Sequence, residues 1–135
     1  MWLYMSDAFL SVVAHRHDKK KLLVRARFAG DIERVFGKDV IVMETPIADY
    51  RFRAVLPRNV VSAVLSRRLN EIAYDNFKNS VEDDWRHGDL MGIWSIMSRA
   101  QQRRAFPSYP PMGGTGSLLD DIDFPSNSPI DCEDM

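Results

Sequence analysis

Leu22-Leu23-Val24-Arg25-Ala26-Arg27-Phe28 alternates: Val24, Ala26 and Phe28 fall to one side, Arg25 and Arg27 to the other. Tyr50-Arg51-Phe52-Arg53-Ala54-Val55-Leu56 repeats the arrangement, with Tyr50, Phe52, Ala54 and Leu56 opposed to Arg51 and Arg53. Successive side chains of a strand point to opposite faces of a sheet. Two strands are therefore predicted that share one apolar face and one arginine face.

Around these two stretches the other elements fall into place. Phe9-Leu10-Ser11-Val12-Val13-Ala14 is apolar and partly β-branched, and reads as a strand. The polar run His15–Lys21 makes the turn of a hairpin into Leu22–Phe28. After Gly30-Asp31, the residues Ile32, Val35 and Phe36 recur at helical spacing, and Gly37 stops the helix. Val40-Ile41-Val42-Met43 reads as a buried strand, and Glu44–Asp49, with Pro46, as a loop. Pro57 closes the second arginine strand and Asn59 is the expected helix cap. A helix is predicted through Val61, Val64, Leu65, Leu69 and Ile72. Asp75 or Asn76 caps a short turn carrying Phe77 and Val81. A last helix carries Leu90, Ile93, Trp94 and Met97 toward Arg104, with Gly88 blurring its start.

The order β-β-α-β-β-α-α predicts an α+β domain, a small four-stranded, largely antiparallel sheet with helices packed on one face. At 135 residues, 45% hydrophobic and 27% charged, the chain suits about one globular domain. It has no run of 18 apolar residues, so no membrane span is expected. The start, Met1–Asp7, lacks the basic region of a secretory signal. One cysteine, Cys132, forms no internal disulfide, and a cytoplasmic setting is expected.

The net charge of −1 is a sum of opposites. All 18 basic residues and 13 of the 19 acidic ones lie in residues 1–104, a net of +5. The other six acids lie in residues 105–135 together with five of the seven prolines and three of the seven glycines. The expectation is a folded domain over 1–104 and an acidic, Pro/Gly-rich flexible tail over 105–135. That tail either stays solvated or docks on the basic body through Leu118, Leu119, Ile122 and Phe124.

Trp2-Leu3 with Phe9–Val13, Val24–Arg27, Asp49-Tyr50 with Phe52–Ala54, Tyr74–Lys78 with Val81, and Trp94 stand in a recognisable order. Over about residues 1–100 the chain resembles a family of small uncharacterised bacterial proteins of roughly a hundred residues. The resemblance implies no activity. The acidic tail extends beyond the family's usual end, and Arg51 sits where its pattern is variable.

Function is sought first on the arginine face. If the apolar alternates face the helices, Arg25, Arg27, Arg51 and Arg53 share the open side of the sheet. Guanidinium groups suit carboxylates and phosphates, so this face is the candidate partner-binding site, unless acids such as Glu44 are laddered against it. A non-enzymatic interaction protein with a protein partner is the leading expectation, a bacterial or phage accessory regulator or inhibitor in setting. Nucleic-acid binding by the same face is the alternative, supported by the +5 body and Lys19-Lys20-Lys21. Base-stacking aromatics are missing from that expectation, because Phe28, Tyr50 and Phe52 are assigned to the inner face. A metal-dependent hydrolase built on His15, His17 and His87, with Asp18 or Asp83-Asp84, is a third reading. No catalytic set, metal site or cofactor is expected: Gly113–Gly116 lacks a phosphate-loop lysine, and no serine occupies a nucleophile elbow. Trp85, Trp94, Met91 and Met97 are read as helix core.

Overall fold

The computed structural model describes residues 1–105. The expected flexible tail, with Cys132 and the anchors Leu118 to Phe124, lies outside the described residues. One antiparallel sheet of five strands carries three α-helices. The strands are β1 (Trp2–Tyr4), β2 (Phe9–Ala14), β3 (Lys21–Ala26), β4 (Met43–Glu44) and β5 (Phe52–Pro57), in the spatial order β1-β2-β3-β5-β4. The helices are α1 (Asp31–Phe36), α2 (Arg58–Asn70) and α3 (Asp84–Ala105), with a 3-10 turn at Phe77–Ser80.

The α+β class stands, and the strand count is corrected from four to five. The added strand is β1, three residues long, and its alternation is too brief to register as a period. The stretch Val40–Met43 is corrected as well. Only Met43 and Glu44 pair with the sheet, while Val40 and Val42 pack against the core as irregular chain. Gly37, at φ 100°, turns the chain through a conformation that disfavours any side chain, and Val40 N–H closes back on its carbonyl. Gly30, at φ 85°, performs the same service at the start of α1.

Cross-strand register defines two faces. One row crosses all five strands as Leu3, Leu10, Ala26, Phe52 and Glu44, and the neighbouring row as Trp2, Ser11, Arg25, Arg53 and Met43. Directly opposed residues share a face. On the first face Leu10, Val12, Val24, Ala26 and Ala54 are buried against Ile32 and Val35 of α1 and Val61 of α2. Each buried Leu, Ile or Val contributes about 1.5–3 kcal/mol, so this layer supplies the main cohesion.

Helix α2 follows β5 directly, with Pro57 rather than Asn59 in the cap position and no side-chain cap. The hairpin turn compensates: Arg58 donates from its backbone N–H to Lys20 O at 2.8 Å and from Nε to Lys19 O at 3.1 Å. Asn76 does cap the 3-10 turn, accepting from Lys78 N–H at 3.0 Å. Helix α3 begins at Asp84, with Asp83 Oδ1 accepting from Arg86 N–H at 2.7 Å, and it runs through Gly88 without interruption.

At the end of the sheet, Asp31 is fully buried. It accepts from Phe9 N–H at 2.9 Å, from Arg34 of its own helix, and from Arg86 of α3 at 2.9 Å. A second layer continues the set. Arg34 donates to Asp7 O at 3.1 Å, and Arg68 of α2 donates to the Asp7 carboxylate at 3.0 Å and to Arg34 O at 2.9 Å. Removing one member of a buried ionic set leaves the others uncompensated. Asp31→Asn should therefore lower stability by about 3 kcal/mol in urea unfolding, whereas Glu33→Gln in the same turn should change it by less than about 0.5 kcal/mol. Equal effects for the two variants would show that the buried carboxylate has no special weight.

Candidate functional site

The face of the sheet opposite α1 and α2 is built by the alternate strand residues Trp2 and Tyr4, Phe9, Ser11 and Val13, Leu23 and Arg25, Arg53 and Val55, and Met43. Trp2 is 63% exposed, and Tyr4 and Met43 are also open to solvent. Tyr4 stacks on Phe9 at 4.6 Å between ring centroids, and Trp2 meets Phe9 edge-on at 6.2 Å. An aromatic cluster thus occupies the β1–β2 side of the face, next to the arginines.

Tyr50 organises those arginines. It precedes β5 rather than belonging to it, and its ring lies across the face instead of in the helix-side core. Arg25 and Arg27 both place their guanidinium groups 4.5 Å from its centroid, and Phe9 lies 6.5 Å away. The side chain is only 4% exposed because these neighbours cover it. The 49–50 backbone is tied down by the same cations: Arg27 donates to Asp49 O at 2.7 Å and Arg53 to Tyr50 O at 3.1 Å. Arg25 also donates to the buried Ser11 hydroxyl at 2.8 Å.

Of the four arginines assigned to one face, the structure gathers Arg25, Arg27 and Arg53. Arg51 departs. Its Nε donates to Glu44 at 2.6 Å and its guanidinium lies 5.9 Å from the Phe52 ring, both residues of the helix-side register. It is drawn to the sheet edge by the very acid that the sequence suggested as a ladder partner. Asp49 stands beside Arg53 at 3.9 Å, so the positive charge of the face is partly offset.

The expected absence of exposed aromatics is corrected. Trp2 and Tyr4 lie on β1, whose three residues are too few for alternation to register, and Phe9 lies in Phe9–Val13, which is largely apolar on both faces. The signal was the i, i+2 spacing of Trp2 and Tyr4 around Leu3. Phe28 is corrected too: it lies beyond the end of β3, exposed, with the Arg86 guanidinium 5.8 Å from its ring. Trp85, Trp94 and Met97 are exposed on α3 rather than core.

His15 and His17 lie in the β2–β3 turn, and His87 lies in the first turn of α3. His15 Nδ1 accepts from Asp18 N–H at 3.1 Å, and the His15 and His17 rings lie 6.2 Å apart. Among the described residues, no group of three or more His, Cys, Asp or Glu converges as a metal ion would need. A polar cleft of about 390 Å³ is lined by Asp7, Arg34, Glu82, Asp83 and Arg86, with both arginines engaged by Asp31. No helix of the described residues is long and apolar enough to cross a membrane. No family model, curated protein or solved structure matches the chain.

Two outcomes follow from this geometry. Tyr50→Phe should leave stability within about 0.5 kcal/mol. Tyr50→Leu, which keeps bulk but removes the π-face under two guanidinium groups, should cost about 1–2 kcal/mol; equal stability of the two variants would refute the stacking role. At the hairpin turn, the Lys20 amide donating to Asp18, with the Lys21 ammonium beside it, holds the Asp18 carboxyl below its ordinary range. A lowered carboxylate stabilises the turn above the unfolded-state pKa, and that contribution is lost as pH falls through the folded value. An NMR titration should give Asp18 a midpoint below that of an unstructured aspartate; a midpoint at or above it would refute the assignment.

Proposed function

We propose that the chain is a non-enzymatic binding protein that engages a protein partner through the open face of its sheet. The observation that carries this reading is the juxtaposition of Trp2 and Tyr4, both solvent-facing, with Arg25, Arg27 and Arg53 packed around Tyr50. Trp, Tyr and Arg dominate the energetics of protein interfaces, where they act from well-packed surroundings. Val13, Leu23 and Val55 add a half-buried apolar row to the same face. The partner surface suited to it is apolar at its centre, with carboxylates placed to meet the guanidinium edges.

Pre-positioning supports the reading further. A free arginine loses about 2 kcal/mol of rotamer freedom when fixed, and stacking on Tyr50 has already removed part of that cost. A cytoplasmic regulator or inhibitor, in a bacterium or phage, is the setting proposed with it.

Nucleic-acid binding is retained as the second reading because one observation favours it: the Trp2–Phe9–Tyr4 cluster supplies the stacking surface that single strands use. The offset by Asp49 and the withdrawal of Arg51 favour the protein reading.

A photo-crosslinking residue at Met43 should trap a discrete protein partner, and one at Leu69, exposed on α2, should not. Trp2→Ala and Arg53→Ala should each weaken that association by about 2 kcal/mol, roughly thirtyfold, while Arg51→Ala should change it by less than about 0.5 kcal/mol. Adducts that form equally from both positions, or that persist in the Trp2 and Arg53 variants, would overturn the assignment. A mobility shift of single-stranded probes at about 50 mM salt, lost in the same variants, would replace it with the nucleic-acid reading.

A further inference from the structure

Among the described residues, helix α3 is anchored chiefly through its first half. Arg86 reaches the buried Asp31, and Leu90 is itself buried. The stripe that contains Leu90 continues at helical spacing through Trp94, Met97, Gln101 and Arg104. From Trp94 onward it loses its cover: Trp94 is 58% and Met97 62% exposed, although the Lys78 ammonium sits 5.3 Å from the Trp94 ring. The open face there is formed by α3 alone, through Trp94, Met97, Gln101 and Arg104. Its chemistry is polarised. Trp94 and Met97 supply an apolar end and Arg104 a cationic one, Arg99 and Arg103 stand on the opposite side of the same helix, and α3 carries no acidic residue after Asp89. An occupant must bring apolar side chains and carboxylates together.

We propose that the occupant is residues 117–124 of the same chain, Ser117-Leu118-Leu119-Asp120-Asp121-Ile122-Asp123-Phe124, which lie outside the described residues. Leu118, Leu119, Ile122 and Phe124 stand within seven residues of sequence, and Asp120, Asp121 and Asp123 stand among them. Apolar side chains set among carboxylates complement a face that joins Trp94 and Met97 to Arg104. The intervening chain reaches far enough. Leu118 lies 13 residues beyond Ala105, a span of up to about 43 Å when extended at about 3.3 Å per residue. Trp94 is 11 residues back along α3, only about 16 Å at 1.5 Å per residue. Tethering raises the effective concentration of such a segment to the millimolar range, so a weak intrinsic affinity suffices. A second copy's α3 is a poorer occupant, because it would set arginine against arginine. The inference concerns a different surface from the open sheet face and does not depend on its partner.

The test uses the full chain with Ser117→Cys in a Cys132→Ser background, labelled with a nitroxide. At low salt the Trp94 indole N–H and Met97 methyl signals should lose most of their intensity and recover on reduction of the label. Leu119→Asp with Ile122→Asp, substitutions outside the folded body, should restore them without reduction. Broadening at the Trp2 indole N–H in their place would put the segment on the sheet face and overturn the proposal. So would intensity unchanged throughout, or the same loss in an isotope-enriched chain without label mixed with labelled, unenriched chain, which would make the contact intermolecular.

Discussion

A carboxylate with no solvent exposure holds this fold together at one end. Asp31 is tolerable in its site because donors from three places converge on it: the first residue of β2, its own helix α1, and α3. An ion of this kind removed from water costs several kcal/mol unless it is paired and hydrogen-bonded. The start of β2, the position of α1 and the docking of α3 are therefore conditional on one another. Asp7 repeats the arrangement one layer out, where Arg68 brings in α2 by its carboxylate and Arg34 links the Asp31 carboxylate to the Asp7 main-chain carbonyl. The apolar layer supplies most of the cohesion, and Asp31 selects which ends of the elements meet.

This division of labour leaves the open sheet face free of structural duty. The helices bury the row that contains Leu10 and Ala26, and the ionic junction sits at the edge of that layer. Nothing in either arrangement needs Trp2, Tyr4 or Arg53 to face solvent. On that face Tyr50 stiffens arginines, and Arg27 and Arg53 in turn tie down the backbone around it. A guanidinium stacked on an aromatic face keeps part of its edge available while losing most of its wandering. A surface stiffened in this way is better suited to selective association than a fringe of mobile lysines, because less freedom is lost on binding.

The legible parts of the fold are those with a clean period. Strand β3 and strand β5 alternate Val24-Arg25-Ala26 and Phe52-Arg53-Ala54, and the paired glycines Gly30 and Gly37 bracket α1 at the two positions where φ is positive. What escaped has physical causes. Strand β1 is too short for alternation to show. Tyr50 follows the period of β5 on paper, yet the chain turns at Asp49-Tyr50 under three hydrogen bonds between side chain and backbone, one of them donated by Tyr50 N–H to the Asp49 carboxylate. In sequence Asp31 is an ordinary acidic residue at a helix start, and local pattern carries no mark of a partner 55 residues away in Arg86. The site was half legible for the same reason: Arg25 and Arg53 follow from alternation, whereas Arg51 follows its ion pair with Glu44, a tertiary event.

The partition of charge ties these surfaces together. Several arginines of the body are paired within the fold: Arg34 and Arg86 share Asp31, Arg68 meets Asp7, Arg51 meets Glu44, and Arg67 meets Glu71 at 3.8 Å. Among the described residues, no carboxylate lies within ion-pair distance of Arg25, Arg27, Arg99, Arg103 or Arg104. The +5 of the body is thus concentrated in part on the open sheet face and on the projecting end of α3. These two places answer differently to salt. Exposed charges separated by more than about 8–10 Å are largely screened at physiological ionic strength, and that describes the end of α3, where the arginines stand on a solvated helix. Arg25 is half-buried, packed against Tyr50 and bonded to Ser11, so its interactions are screened far less. Ionic strength consequently separates the two surfaces, and a net charge of −1 conceals a molecule whose opposite charges are sorted by place.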